Sequence, residues 1–351
     1  MASAPQWLAS AASNVVAKTV NGGLADLRPM PRTLIDRGPN RSVYRLAPRG
    51  KTLDGPPVLL VPPLAAPALC FDLRRGCSLA EHLVTGGRRT YLVDYGTVAF
   101  SDRGLGVEHW VDEVLPRTIR AVSEDAGGQP VHIVAWCLGG IFSLLTSAAQ
   151  PTLPVASIVS VAAPFDMTAV PLFAPIKPLA NVADGLLFTA AYRLLGGAPR
   201  QLVKRVFQLS AIDKVVTKPY AILTHLDDAD FLAQLEAVDR FTDNMIAYPG
   251  RTFGQMYHHF FRANDLANGA VDLGGRRIAL SEVKQPVLVI AGRGDSIAPQ
   301  RAVHRLVEVL ENAEDMRFEV CPGGHLGVLT GRAARNSTWR HIDDFLDERT
   351  A

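Results

Sequence analysis

The chain has 351 residues, of which 48% are hydrophobic and 20% are charged, so it can build a sizeable core and is not a disordered protein. A balance of 36 Lys+Arg against 34 Asp+Glu leaves a net charge of +2, which argues against a nucleic-acid partner or a polybasic membrane patch. Residues 1–20 lack the basic and continuous apolar regions of a signal peptide, and no run reaches transmembrane length. We therefore expect a cytoplasmic protein without a transmembrane segment.

The first half of the chain alternates between apolar strands and helical stretches. Residues 1–40 are predicted to form an N-terminal helical extension, because apolar residues within 7–25 have the spacing of an amphipathic helix. The strands that follow are predicted at 41–48, 57–64, 89–95, 131–134 and 155–161, with helices at 78–86, at 107–125 and after the fourth strand. This order predicts a mostly parallel central sheet with helices on both faces, whose first part spans 41–163.

The strand–helix rhythm stops between residues 164 and 276. This segment has several prolines and then helical patterns at 179–195, 199–212 and 228–247, with no pattern of a buried strand. It is predicted to be an inserted all-helical cap that covers a site and excludes water. A passive structural insertion is the alternative.

The sheet resumes in the last part of the chain, predicted to span 277–351. Apolar strands are expected at 286–292 and 316–320, with a helix between them at 299–312 and a final helix at 334–348. The segments 41–163 and 277–351 would thus form one domain that the cap interrupts.

A strand, a sharp turn and a helix are predicted at the stretch VHIVAWCLGG, residues 131–140. In α/β-hydrolases this unit is the nucleophile elbow, usually G-x-S-x-G, and here Ala135-Trp136-Cys137-Leu138-Gly139 occupies it. A cysteine thiolate is a strong nucleophile that exchanges readily with thioesters. The alternative for Cys137 is that of most lone cysteines in apolar stretches, a small buried hydrophobic residue.

Two further residues complete the α/β-hydrolase order of nucleophile, acid and histidine. Asp295 follows a predicted strand, in the loop 292–299, and His325 follows the last predicted strand, between glycines in 323–327. Asp295 alone could be a helix cap, and His325 alone an ordinary turn residue. All three in this order predict a catalytic triad on an α/β-hydrolase fold, with Cys137 as nucleophile, His325 as base and Asp295 as its orienting acid.

The oxyanion hole is expected to use backbone N–H groups. One belongs to Leu138, which follows the nucleophile, and the second to Leu64 or Ala65, in the loop after an early strand. No metal site is expected, because the spacing of the cysteines fits no zinc pattern. The other cysteines, Cys70, Cys77 and Cys321, are interpreted as structural residues in a reducing compartment.

Several segments resemble the polyhydroxyalkanoate synthases, in particular their short, two-subunit type, and the resemblance covers residues 40–345. The matching segments are LVPPL at 60–64 with FDL at 71–73, YLVDYG at 91–96, the cysteine box at 135–140, APFD at 163–166, the aromatic run from Phe253 to Phe261 with NDL at 264–266, GDSIAP at 294–299 and GHLG at 324–327. Two departures stand out. Ala135 replaces the first glycine of the box, and no tryptophan occurs between Trp136 and Trp339, where the family has one in the cap.

The resemblance implies an acyltransferase of polyhydroxyalkanoate biosynthesis. Cys137 would accept a 3-hydroxyacyl group from an acyl-CoA and pass it to a growing polyester, with His325 as base and Asp295 supporting it or activating the incoming hydroxyl. No cofactor is implied, since CoA enters with the substrate. The implied partners are a second synthase subunit or a second copy of the chain, and a polymer or lipid granule surface.

Two other functions remain open at this level. One is a lipase, esterase or thioesterase of the same fold that acts on lipid acyl groups, in which water attacks the acyl enzyme. The other is a non-catalytic scaffold that binds lipid granules or a partner. Access of water beneath the cap would separate the first of these from a transferase.

Overall fold

The computed structural model describes residues 23–171, 197–209 and 212–349, together with 7, 9–14 and 16 near the N-terminus. The helix predicted at 179–195 lies outside the described residues. Part of the helix predicted within 7–25 is present, because residues 9–14 are helical. No helix in the described part of the chain combines the length and the apolar character needed to cross a bilayer.

An eight-stranded sheet forms the centre of the molecule, with strand order β1-β2-β4-β3-β5-β6-β11-β12. All neighbours from β4 to β12 in this order run parallel, whereas β1 and β2 are antiparallel to their neighbours. The predicted α/β fold with a mostly parallel sheet is confirmed. The strands are β1 (Arg32–Gly38), β2 (Arg41–Leu46), β3 (Val58–Val61), β4 (Thr90–Asp94), β5 (Val131–Trp136), β6 (Val155–Val161), β7 (Gly197–Ala198), β8 (Tyr248–Pro249), β9 (Ala270–Leu273), β10 (Arg276–Ala279), β11 (Val287–Gly292) and β12 (Met316–Cys321).

Helices flank this sheet. The helix Leu79–Thr85 is capped at its N-terminus by Ser78, whose hydroxyl accepts a hydrogen bond from the N–H of Glu81 at 3.0 Å. The α-helices are Leu79–Thr85, Leu115–Asp125, Leu138–Ala149, Arg200–Leu209, Ile212–Thr224, Ala229–Asp243, Gly250–Gln255, Gln300–Val309, Gly327–Thr330 and Thr338–Asp347, with π-helical turns at His109–Val114 and Met256–Arg262.

The central strands carry the core. Every residue of β3, β5 and β11 is buried, as expected for parallel strands covered on both faces. Since the three strands are parallel and adjacent to one another or to β6, the loops at their carboxyl ends meet at one edge of the sheet. That edge is where α/β proteins place their ligand sites.

The prediction that residues 1–40 form a helical extension was wrong from residue 32 onward. Arg32–Gly38 is the edge strand β1, which forms an antiparallel hairpin with β2 through a turn in which Asn40 has φ 47°. The strand is mostly exposed and contains a register shift between Leu34 and Asp36. It therefore lacks the apolar alternation by which a half-buried strand is detected in sequence.

The prediction that residues 164–276 contain no strand was also wrong. Helices predominate there in the described part, but β7 pairs with β8, and β9 forms a hairpin with β10. This hairpin crosses the predicted boundary at 276, and its turn consists of Gly274 and Gly275, both with positive φ. The strands are two to four residues long, too short for a periodic pattern, and β10 packs against the helix Leu138–Ala149 of the sheet domain.

Candidate active site

Cys137 lies at the apex of a strained turn between β5 and the helix Leu138–Ala149. Its φ of 53° and ψ of −123° are unusual for a residue with a side chain, a conformation that costs about 1–3 kcal/mol. The surrounding backbone holds it: the N–H of Cys137 donates to the carbonyl of Val161 at 2.8 Å, and its carbonyl accepts from the N–H of Gly140 at 2.9 Å. The thiol is half-buried, whereas the other three cysteines are buried.

Two glycines allow the turn to lie close to the sheet. A Cβ at Gly139 would lie 2.5 Å from the carbonyl oxygen of Val61, and a Cβ at Gly140 would lie 2.6 Å from Oγ of Ser160. Neither distance is tolerable, so no larger residue fits without a shift of its neighbours. Ala135, which replaces the family glycine, is fully buried in β5, where it pairs with Val61 and Ser160.

Asp295 and His325 meet directly. His325 Nδ1 lies 2.8 Å from Oδ2 of Asp295, whose other oxygen accepts the N–H groups of Ile297 and Ala298, each at 2.8 Å. Both side chains are buried. The two loops are also joined through their backbones, since the N–H of Gly294 donates to the carbonyl of Gly323 at 2.9 Å. The Asp295 carboxylate is therefore fixed by its own loop before it orients the imidazole.

The charges around His325 favour its protonated form. Burial lowers the pKa of His325, but the charges of Asp295 and then of Cys137, together with hydrogen bonds to both side chains, raise it to about 10. Because Asp295 engages Nδ1, the nitrogen left for the thiol is Nε2. An imidazole of raised pKa is suited to take up a thiol proton at Nε2, and the thiolate is the reactive form of a cysteine nucleophile.

The groups predicted for the oxyanion hole lie at the same edge. Leu138 is the first residue of its helix, so its N–H has no acceptor within the helix. Leu64 and Ala65 are buried in the turn that follows β3, and β3 pairs with β5 up to Val61 and Ala135. The carbonyl of Ala65 accepts the N–H of Ile246 at 2.8 Å, which ties this turn to the predicted cap segment. The oxyanion role of these N–H groups stays a prediction.

Trp136 is a residue whose role the sequence did not indicate. Its Nε1 donates to the carbonyl of His325 at 3.1 Å, and its ring centroid lies 5.0 Å from that of His325. The ring centroid of Phe241, which is fully buried on the helix Ala229–Asp243, lies 6.0 Å from that of Trp136. A tryptophan beside the nucleophile is visible in the sequence, but its distant partners are not.

No group of three or more His, Cys, Asp or Glu side chains within the described ranges could hold a metal ion.

Comparison with known proteins agrees with this architecture. The model of the alpha/beta hydrolase fold family matches residues 56–331, so the chain belongs to this family. Among solved structures, the monoacylglycerol lipase of Paleococcus ferrophilus superposes with a TM-score of 0.52 at 16% identity, covering 92% of this chain and all of the other, which shows the shared fold.

The curated relatives are more specific than the fold. The poly(3-hydroxyalkanoate) polymerase subunit PhaC of Allochromatium vinosum is 26% identical over 294 residues, covering 84% of this chain and 81% of the relative. The protein of the same name from Thiocystis violacea is 25% identical over 333 residues, covering 94% and 92%. The resemblance inferred from the sequence motifs is confirmed by these matches.

Proposed function

We propose that the protein is an acyltransferase that moves 3-hydroxyacyl groups from CoA thioesters, through an acyl-Cys137 intermediate, onto a growing polyester. The observation that carries this proposal is a cysteine, rather than a serine, at the strained apex of the elbow, together with a histidine that Asp295 orients and whose pKa the charge of Cys137 helps to raise. The similarity to polymerase subunits along most of the chain supports the polyester as product.

Acylation begins with transfer of the Cys137 proton to Nε2 of His325. The thiolate attacks the carbonyl carbon of the thioester, and the negative charge that develops on the carbonyl oxygen is stabilised by the N–H of Leu138 and that of Leu64 or Ala65. The tetrahedral intermediate collapses with cleavage of the bond to the CoA sulfur. The imidazolium protonates the departing thiolate, so that free CoA and an acyl-Cys137 thioester result.

Transfer repeats the sequence with an alcohol as nucleophile. His325 accepts the proton of the hydroxyl at the end of the acceptor chain while the oxygen attacks the acyl-Cys137 carbonyl. An ester bond forms, the Cys137 thiolate leaves, and it recovers the proton from the imidazolium. Neither step requires a group other than those of the chain and the two substrates, so we propose that no resident cofactor takes part.

The proposal extends to the setting of the reaction. By analogy with the two-subunit synthases, we propose that the chain works with a second synthase subunit at the surface of a polymer granule in the cytoplasm. A mass measurement in solution, with and without a candidate subunit, checks this part. A homodimer without need of a second subunit would contradict it.

The decisive experiment supplies the purified protein with 3-hydroxybutyryl-CoA and measures both free CoA and polymer. Release of CoA with polymer formation is expected. Release of CoA with only free 3-hydroxybutyrate would identify a thioesterase, and no turnover of any thioester or ester would identify a scaffold.

A matched test addresses the nucleophile. Intact mass after a short reaction should show an acyl adduct, which Cys137→Ala should remove and Cys321→Ala should retain, because Cys321 is buried in β12. Persistence of the adduct on the Cys137→Ala variant would remove Cys137 from its proposed role.

A further inference from the structure

The side chain that precedes the nucleophile contacts the backbone of His325. Trp136 and His325 are 189 residues apart in the chain, and both are buried. The indole Nε1 donates to the carbonyl of His325 at 3.1 Å. A buried carbonyl without a donor costs free energy, and Nε1 is the only polar atom of an indole. This hydrogen bond therefore fixes the loop after β12 relative to the end of β5.

The indole also contacts the imidazole ring of His325. The two ring centroids are 5.0 Å apart, with 40° between the ring planes. An aromatic ring attracts a cation within about 6 Å of its centroid, so the contact favours the imidazolium that His325 forms when it takes up a proton. Asp295 engages Nδ1 at 2.8 Å. The contacts of Trp136 and Asp295 thus restrain both the backbone and the ring of His325 and leave Nε2 for the thiol.

The indole is itself held from two sides. Trp136 is the last residue of β5, where it pairs with Val161 of β6, and the carbonyl of Val161 also accepts the N–H of Cys137 at 2.8 Å. On the helix Ala229–Asp243, the fully buried ring of Phe241 lies 6.0 Å from the indole, centroid to centroid. One short stretch of backbone therefore carries both the nucleophile and the side chain that contacts its base.

We propose that Trp136 is a positioning residue, whose indole holds the backbone and the imidazole ring of His325 in the orientation that presents Nε2 to Cys137. Asp295 and Cys137 act on His325 through their charges, whereas Trp136 is uncharged and acts through one hydrogen bond and one ring contact. The alternative is a tryptophan that only fills space in the core. The inference rests on the roles proposed above for Cys137 and His325.

The test compares the same substitution at two buried tryptophans. Trp136→Phe keeps a ring beside the imidazole but removes the N–H donor to the carbonyl of His325. Trp110→Phe is the matched control, because Trp110 is also fully buried, packs against Phe142 and has no acceptor for Nε1 among the described residues. Both variants should unfold at a lower urea concentration than the wild type, since each leaves a cavity in the core.

The measurement that separates the two variants is the rate at which iodoacetamide alkylates Cys137 as a function of pH, followed by intact mass. Cys137 is the half-buried cysteine of the four, so Cys137→Ala should abolish the modification. In Trp136→Phe the midpoint of the profile should rise by about half a pH unit, and alkylation below it should slow about threefold, because a less restrained imidazole stabilises the thiolate less well. Trp110→Phe should keep the wild-type midpoint.

Equal midpoints in Trp136→Phe and Trp110→Phe would overturn the inference and leave Trp136 a residue of the core alone. If Trp136→Phe does not fold, Phe241→Leu is the second variant, because it removes the ring packed on the indole and alters neither the triad nor the elbow. It should slow alkylation about twofold, whereas Phe345→Leu, at another fully buried phenylalanine, should not; equal rates in this pair would also overturn the inference. Alkylation requires no acyl substrate, so failure of polymer synthesis leaves the result interpretable.

Discussion

The sheet and the predicted cap differ in the contacts that hold their parts of the site. Cys137 and Asp295 follow strands in which every residue is buried, so their positions depend on the core itself. The helix Ala229–Asp243 buries Phe241 and three other apolar side chains, and it is also joined to the rest of the chain through polar contacts. Asp230 forms ion pairs with Arg74, Arg332 and Arg335, the Gln234 amide donates to the carbonyl of Thr330, and Glu236 accepts the N–H groups of Leu24 and Ala25.

The difference indicates how the two parts respond to change. A substitution at the carboxyl edge of the sheet alters buried, closely packed groups and should affect chemistry or folding strongly. A substitution among the polar contacts of the helix Ala229–Asp243 alters partly exposed groups, whose individual contributions are small. Variants in each part can therefore be ranked by expected effect.

The largest effect is expected at Asp295. In Asp295→Asn the amide can keep the hydrogen bonds from Ile297 and Ala298, but its N–H group would face Nδ1 of His325. This favours the tautomer with the proton on Nε2, which cannot accept the thiol proton. The rate of CoA release should fall about 10³- to 10⁴-fold.

The control for this variant lies on the helix Ala229–Asp243. Asp239→Asn removes an exposed ion pair with Lys218 and should leave CoA release unchanged. A loss of less than about tenfold in Asp295→Asn would show that the carboxylate does not set the tautomer.

The next largest effect is expected at the elbow. Gly139→Ala places a methyl group 2.5 Å from the carbonyl of Val61, so the helix start or the end of β3 has to move. We expect a loss of about 1–3 kcal/mol in the free energy of unfolding, measured with urea. The rate at which iodoacetamide alkylates Cys137, followed by intact mass, should also fall. Gly104→Ala, where a Cβ has nothing within 4 Å, should stay within about 0.5 kcal/mol of the wild type. Equal stabilities of the two variants would contradict the predicted clash.

The same contrast explains what the sequence could reveal. The strands β3, β5 and β11 are apolar apart from His132, and each is followed by a turn with glycines or prolines, so their loops could be located and Cys137 and Asp295 assigned to one edge. The positions of these residues follow from sequence patterns within short segments of the chain.

Other parts of the site depend on contacts between distant segments. Ile246 joins the turn after β3 through its hydrogen bond to Ala65, and Phe241 contacts Trp136 from a helix that looks like any amphipathic helix in sequence. The strand β1 was missed for a similar reason, since its pairing with β2 rather than its own pattern makes it a strand. Local periodicity does not contain such information.

A third effect concerns a buried histidine of the sheet. His132 lies within β5, with Nδ1 2.8 Å from Oγ of Ser157, and burial lowers its pKa from 6.5 to about 4. The unfolded chain therefore binds a proton between these values that the folded chain does not. The contribution of His132 to the free energy of unfolding should be fully present above pH 6.5. It should decline between pH 6.5 and pH 4 by roughly 1.4 kcal/mol per pH unit.

Urea unfolding of the wild type and of His132→Asn at several pH values between 4 and 8 measures this slope. The asparagine retains a hydrogen-bonding group for Ser157 but does not titrate, so the variant should have a flatter profile. At pH 5 the loss relative to pH 8 should be about 2 kcal/mol smaller in the variant. Parallel profiles would assign the acid sensitivity to other groups.

The smallest effect is expected in the helix Ala229–Asp243, at Asp230. Asp230→Asn weakens three ion pairs, but the 6% exposed side chain of Arg74 keeps its hydrogen bond to Gln234 at 3.0 Å, and the other two arginines can turn to water. We expect a loss of about 1 kcal/mol in the free energy of unfolding and an increase in KM for the acyl-CoA. Since the sheet positions Cys137 and His325, the rate at which iodoacetamide alkylates Cys137 should not change. A decrease as large as that expected for Gly139→Ala would show that this helix also holds the nucleophile in place.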